Sequence, residues 1–267
     1  MIEERVNILG VGISTVSMRE ALDRSEQLLQ EGGRGYICVT GVHGIIEAQR
    51  NHEFRTILNA SYLCTPDGMP TVWLGHYHGH SSMTRVYGPD FMSLLCERSV
   101  AAGYRHFLYG GKPGVAEQLQ AALELRYPGL QIVGHYTPPF RPLNASEEED
   151  LRAQLTQAKV DVLWCGLSTP KQECFMARYT DVLPVSLMVG VGAAFDFLSG
   201  NAQDAPAWMK TSGLQWVHRL VQEPRRLAGR YFANNPRFLW LVSLQLLGLK
   251  RYSLTANERA GTAATAS

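Results

Sequence analysis

The chain has 267 residues, of which 45% are hydrophobic and 18% charged. That composition fills one large α/β domain, or one domain with a sizeable appendage, and excludes a disordered or fibrous chain. A formal net charge of +1 supplies no global field for nucleic acid, so nucleic acid is excluded as a partner and any basic surface is local.

In chain order, residues 6–11 read as a short strand and 17–30 as a helix with Ala21, Leu22, Leu28 and Leu29 at helical spacing. Tyr36-Ile-Cys-Val-Thr40 reads as a buried strand, 45–59 as a helix and Tyr62-Leu-Cys64 as the next strand, ending in Thr65-Pro-Asp-Gly68. Arg105-His-Phe-Leu-Tyr109 is a strand that enters Gly110-Gly-Lys-Pro-Gly114, followed by a helix over 115–126 and a strand over 130–134. Ser146, with Glu149 three residues on, is the expected cap of a helix through Ala158. Strands over 160–165 and 185–191 complete the series. Alternating strands and helices predict an α/β, Rossmann-like, mostly parallel sheet flanked by helices over residues 1–204. In such folds ligands sit outside the carboxyl ends of the strands. Thr40, the 65–68 turn, Gly110–Gly114, Gly166-Leu-Ser-Thr-Pro170 and Gly190-Val-Gly-Ala-Ala-Phe-Asp196 are therefore expected around one crevice.

Residues 205–252 differ in character. Trp208, Leu214, Trp216, Val217 and Leu220 recur at roughly helical spacing, with Arg219, Arg225, Arg226 and Arg230 interleaved and Glu223 as the one acid between Lys210 and Arg251. The apolar run over 238–249 is shorter than the ~18–20 residues that span a bilayer. A basic, Trp-containing amphipathic segment suits a membrane interface, and a helical hairpin packed on the sheet is the plainer alternative. Residues 253–267, rich in Ala, Thr and Ser, read as a disordered tail. No signal-peptide pattern follows Met1, so the expected location is cytoplasmic, peripheral on the inner face of the cytoplasmic membrane. Cys38, Cys64, Cys96, Cys165 and Cys174 form no C-x-x-C pair and are read as small apolar core residues in a reducing compartment.

Several motifs could carry chemistry. Gly10-Val-Gly12 lacks the third glycine of a dinucleotide fingerprint. Gly110 and Gly111 stand between a strand and a helix, where backbone N–H groups could face phosphate or simply make a tight turn. Asp67 sits at a strand end and could act as a general base, or could satisfy its own turn. Arg85 has the bidentate fork that suits a diphosphate, and Asp90 reads as a helix N-cap. Lys171 could meet phosphate and Gln172 a sugar or base edge, or the segment could be a solvated surface. Gly192 allows close backbone approach, and Phe195 or Asp196 could serve a nucleobase, or all three could form a packed junction. His76-x-His78-x-His80 has no Cys or acid to complete a metal set and is placed in a solvated loop; no metal and no cofactor are expected.

In order and spacing these motifs resemble the WecG/TagA/CpsF family, glycosyltransferase family 26. The resemblance is carried by Gly10-Val-Gly-Ile, Thr40, Pro66-Asp67-Gly68, Arg85-Val-x-Gly88-x-Asp90, Phe107-Leu-Tyr-Gly-Gly111, Pro170-Lys-Gln-Glu173 and the 190–196 segment. Ala205-Pro-Ala-Trp-Met209, Gly213-Leu-Gln-Trp216, Arg219-Leu220 and Glu223-Pro-Arg-Arg226 extend it through the basic segment. It implies an inverting, metal-independent transfer from a UDP-sugar to a polyprenyl-diphosphate-linked sugar in cell-surface polymer or exopolysaccharide synthesis. The donor sugars it implies are N-acetylmannosamine, its uronic acid or glucose. By the same resemblance Asp67 is the base, Thr40 and Arg85 act beside it, Gln172 orients the sugar, and Arg219 and Arg226, with Arg225 and Arg230 beside them, hold the diphosphate. The sequence departs from the family at Gly41-Val-His43-Gly44, where many members carry an Asn-containing segment, which opens the identity of the donor sugar. A nucleotide-dependent oxidoreductase and a non-catalytic nucleotide-sugar scaffold are the alternative functions, and a homo-oligomer is compatible with the sequence.

Overall fold

The computed structural model describes residues 4–254; most of the tail expected over 253–267 lies outside the described residues. The chain opens with β1 (Arg5–Ile8) and β2 (Val11–Ser14), an antiparallel pair of its own. Residues 6–11 are thus a hairpin and not one strand. Ile8 pairs Val11, so the loop is Leu9-Gly10, with φ of 55° and 82°. Two positive φ values in a two-residue loop make a turn whose twist matches the strands, and glycine occupies its second position at little cost.

Helix α1 (Met18–Gln30) starts on a capping box in which Ser17 and Glu20 satisfy each other's backbone N–H. Then come β3 (Gly35–Thr40), α2 (Val42–Ala48), α3 (His52–Ala60), β4 (Leu63–Pro66) and α4 (Met69–Tyr77). The single helix expected over 45–59 is two, because the Asn51 side chain accepts the Phe54 N–H at 3.1 Å and starts α3 afresh. Helix α4 carries His76, which meets the Met83 carbonyl at 2.7 Å, so of the His-x-His-x-His run His76 is helical, while His78 caps the helix and His80 lies in the turn that follows. Among the described residues no group of three or more His, Cys, Asp or Glu side chains is placed to hold a metal ion.

The series continues with α5 (Gly88–Ala102), β5 (Arg105–Gly110), α6 (Val115–Arg126), β6 (Gln131–Tyr136), α7 (Ala145–Ala158), β7 (Val162–Gly166), α8 (Lys171–Tyr179), β8 (Leu187–Gly190) and α9 (Ala194–Leu198). Asp90 lies in the first turn of α5, whose N-cap is Tyr87. Asn144 and Glu147, not Ser146 and Glu149, form the capping box of α7. Six strands make one parallel sheet in the order β4-β3-β8-β7-β5-β6. Helices cover both faces, which is why strands such as β7 read as unbroken apolar runs. One core holds Ile45, Phe54, Leu163 and Met188; the other holds Phe91, Trp164 and Phe195. His106 is fully buried against Trp164, whose Nε1 donates to its Nδ1 at 2.9 Å, and burial pushes this imidazole down to about 3. Four cysteines are buried as expected, whereas Cys174 is exposed on the outer side of α8.

Three helices end the described chain: α10 (Ala207–Thr211), α11 (Gln215–Gln222) and α12 (Pro224–Leu246). Helix α12 lies on α2, with Phe238 and Val242 sunk into the core. Gln245 near its end clamps the N-terminal hairpin, accepting from Leu9 N–H and donating to the Asn7 carbonyl, both at 2.8 Å. Phe232 and Trp240 of this helix and Leu247 at its C-cap are exposed, as is Leu239 at the cavity described below. No helix among the described residues is long and apolar enough to cross a membrane.

Candidate active site

The carboxyl ends of β3, β4, β7 and β8 open into a cavity of about 640 Å³, roofed by α10–α12. That volume is in the range that holds small organic ligands. Asp67 extends the β3–β4 ladder by one bond, its N–H reaching the Thr40 carbonyl at 3.0 Å. A Cβ on Gly41 would stand 2.5 Å from the Asp67 carbonyl oxygen, so glycine lets the two strand ends close up. Gly68 follows at φ 124° and turns the chain into α4, which leaves the Asp67 side chain at the cavity wall.

Arg85 Nη2 donates to Asp67 Oδ1 at 3.1 Å and also to Gln215 Oε1. Gln215 Nε2 donates to Asp204 Oδ1 at 3.1 Å. Asp204 further accepts from the Tyr87 hydroxyl at 2.9 Å and pairs with Lys210 at 2.5 Å. A hydrogen-bonded chain therefore runs from α11 through Arg85 to Asp67. The Arg85 guanidinium also lies 4.3 Å from the centre of the Tyr87 ring, and its buried Nε has no partner. Burial raises the Tyr87 phenol further above its usual range, and the Asp204 and Asp67 carboxylates add to this, so it stays a hydrogen-bond donor.

Among the residues expected from sequence, Thr40, Asp67, Arg85, Gln172, Gly192, Asp196, Arg219, Arg226 and Arg230 line this cavity. The Thr40 hydroxyl is turned to the Cys38 carbonyl at 3.3 Å. Five do not line it. Lys171 and Arg225 point to solvent. Gly110 and Gly111 serve packing: a Cβ on Gly110 would meet Gly166 at 2.7 Å, and Gly111 N–H bonds the Gly166 carbonyl at 3.1 Å. Phe195 is 1% exposed and lies where a Cβ on Gly166 would strike its ring at 2.6 Å, so it is a core wedge and not a platform for a base. Phe197 faces the cavity instead, with Arg219 5.3 Å from its ring centre.

Sequence reasoning missed Gln215, Asp204 and Tyr87, which orient Arg85, and Glu173, which is buried in the wall beside Gln172. It also missed the tie between His43 and Asn234, whose Nδ1 and Nδ2 are 2.9 Å apart and join α2 to α12. Burial, then the Arg230 charge, hold the His43 imidazole down at about 4, so it is neutral near pH 7 and its Nδ1 accepts from the Asn234 amide. The Gly213-Leu-Gln-Trp216 motif was the available signal for Gln215.

Cations outnumber carboxyls on the lining: Arg85, Lys210, Arg219, Arg226 and Arg230 against Asp67, Glu173 and Asp196. Arg226 is held by Glu223 through two contacts of 2.5 Å. Arg230 has no salt-bridge partner among the described residues, and burial, then Arg226, lower its affinity for its proton. A half-buried cation facing other cations is a receptor for an anion.

The family model for the glycosyl transferase WecG/TagA/CpsF family matches residues 6–252. The chain belongs to this family. An N-acetylglucosaminyldiphosphoundecaprenol N-acetyl-beta-D-mannosaminyltransferase of Bacillus subtilis (strain 168) is similar to it, 28% identical over 179 residues that cover 67% of this chain and 68% of that one. In this glycosyltransferase, the Gln215 bridge is a testable part of the site. Gln215→Leu leaves Arg85 and Asp204 each short of a partner, an expected cost of about 1–3 kcal/mol in urea unfolding. Unchanged stability would show that the bridge is not made in solution.

Proposed function

We propose that this glycosyltransferase moves an N-acetylhexosaminyl or hexosyl group from a UDP-sugar to a sugar carried on a polyprenyl diphosphate, with inversion and without a metal ion. The observation that carries the reading is the Asp67–Arg85 pair in a cavity roofed by Arg219, Arg226 and Arg230. Arg85 holds Asp67 Oδ1, and Oδ2 is left for an acceptor hydroxyl. Asp67 takes the proton as that hydroxyl oxygen bonds to the anomeric carbon, and the bond from this carbon to the UDP oxygen breaks on the opposite face. The leaving diphosphate gains charge, which Arg85 and the α11–α12 arginines stabilise from fixed positions. The Bacillus relative's name supports the acceptor class and an N-acetylated donor.

The outer surface of the C-terminal segment supports a seat on the bilayer. Trp208, Phe232, Trp240, Leu247 and Leu249 are exposed alongside Arg225, Arg237, Lys250 and Arg251. Apolar and cationic side chains mixed on one helical segment suit the headgroup–acyl boundary of an anionic membrane. A panel of UDP-sugars incubated with a lipid-diphosphate-linked N-acetylglucosamine tests the reading. The expected result is acceptor-dependent release of UDP that persists in excess EDTA. A strict need for Mg²⁺ or Mn²⁺ overturns the arginine role, and no turnover with any UDP-sugar overturns the donor class.

A further inference from the structure

Glu173 is 2% exposed in the cavity wall on the first turn of α8, and no Lys, Arg or His pairs with it among the described residues. A buried carboxylate without a cation carries a large desolvation cost, and neutralisation relieves it. The hydrogen bonds donated to it pull the other way, and burial outweighs them. The two side-chain donors that reach Glu173, the Thr169 hydroxyl at 2.8 Å and Gln172 Nε2 at 3.1 Å, converge on Oε1, and Oε2 has no partner. In the neutral form the proton falls to Oε2, the oxygen that no donor reaches. Burial pushes the Glu173 carboxyl up from its usual range. The titratable groups near it, Cys38 of β3, Cys165 of β7 and Cys174 of its own helix, are themselves pushed up by burial and stay as neutral thiols.

Gln172 is 3% exposed, and its amide is anchored at one end only. Its Nε2 goes to Glu173, while its Oε1 is buried without a partner. Two glycines of β8 and its following loop make the space. A Cβ on Gly190 would stand 2.9 Å from Gln172 Nε2, and the Cβ position of Gly192 lies 3.5 Å from Oε1. An orphaned acceptor in the wall of a binding cavity is a position waiting for a ligand donor.

We infer that Glu173 is a positioning residue, which as a neutral acid grips the Gln172 NH₂ group and so presents Gln172 Oε1 to a hydroxyl or amide N–H of the donor sugar. This rests on the proposed transfer from a UDP-sugar. Four full-length variants test it: Glu173→Gln, Glu173→Met, Gln172→Met and the double Gln172→Met/Glu173→Met. For each, kcat and the donor KM are measured by UDP release, and the UDP Kd by calorimetry. Glu173→Gln retains an Oε1 acceptor and no charge, so its KM stays within about threefold of the parent. Glu173→Met and Gln172→Met each raise the donor KM about 5- to 10-fold, the worth of one neutral hydrogen bond, with the UDP Kd unchanged. The double variant is no worse than either single one, because both remove the same contact.

Raising the pH through the elevated Glu173 pKa ionises the acid and puts an unpaired negative charge in the wall that the anionic donor meets, which raises the donor KM of the parent, while Glu173→Gln stays flat. This arm reads the proposal even if the methionine variants do not fold. Loss of activity in Glu173→Gln equal to that in Glu173→Met would show that a carboxylate is needed and overturn the inference. So would single losses that multiply in the double variant, or matching pH profiles of parent and Glu173→Gln. A parent protein that fails to bind UDP overturns the functional reading instead, which separates the two failures.

Discussion

Asp67→Asn lowers kcat by about 10²- to 10⁴-fold, the usual worth of a positioned general base, while the UDP Kd stays near that of the parent. The substitution is nearly isosteric, and the Asn carbonyl oxygen can still accept from Arg85, so the 3.1 Å contact and the Arg85–Gln215–Asp204 chain are retained. What disappears is an oxygen able to take a proton from the acceptor. Single-turnover assays with saturating donor and acceptor separate chemistry from binding, and calorimetry with UDP confirms that the cavity is intact. Turnover within tenfold of the parent would assign Asp67 to the support of Arg85 and move the base elsewhere. Because kcat alone is expected to fall, a matching rise in donor KM would also count against the assignment.

The strands of the parallel sheet were legible because burial on both faces writes them as short apolar runs, as in Val162-Leu-Trp-Cys-Gly166. The hairpin was not, since Val6 to Val11 is apolar but for Asn7 and Leu9-Gly10 lacks the Asn-Gly or Asp-Gly pair that marks such turns. Helix α4 hid behind Pro66-Asp-Gly68, which reads as a turn until Gly68, at φ 124°, feeds the next helix directly. Asp67 and Arg85 could be placed near each other because both lie at predicted strand or helix ends. Gln215 could not, because its partner Arg85 is 130 positions away and only tertiary packing brings α11 over β4. Phe195 misled for the opposite reason. An aromatic next to an acid at a crevice mouth resembles a base platform, but the missing Cβ of Gly166 makes a slot that swallows the ring.

The Arg230 side chain should influence stability and binding in opposite directions. Its guanidinium is half-buried on the inner side of α12, lines the cavity beside Arg219 and Arg226, and has no carboxylate of its own among the described residues. Burial, then the neighbouring Arg226, disfavour its charged form, which is a cost the folded protein carries without ligand. Arg230→Met keeps a long apolar stem and removes the charge, so the unliganded variant melts above the parent. The same change removes a charge-assisted contact worth about 1.5–3 kcal/mol and weakens UDP binding about 10- to 150-fold. UDP at a hundredfold excess over the parent's Kd stabilises the parent by about 2.7 kcal/mol, and the variant gains much less. The order of melting temperatures therefore reverses on adding UDP. The neighbouring imidazole offers a second readout: with the Arg230 charge gone, His43 titrates above its value of about 4, as NMR can follow. A variant that melts below the parent both with and without UDP would make Arg230 a structural residue, and the diphosphate would then fall to Arg219 and Arg226. A variant that melts higher yet binds UDP as tightly would place the diphosphate away from Arg230.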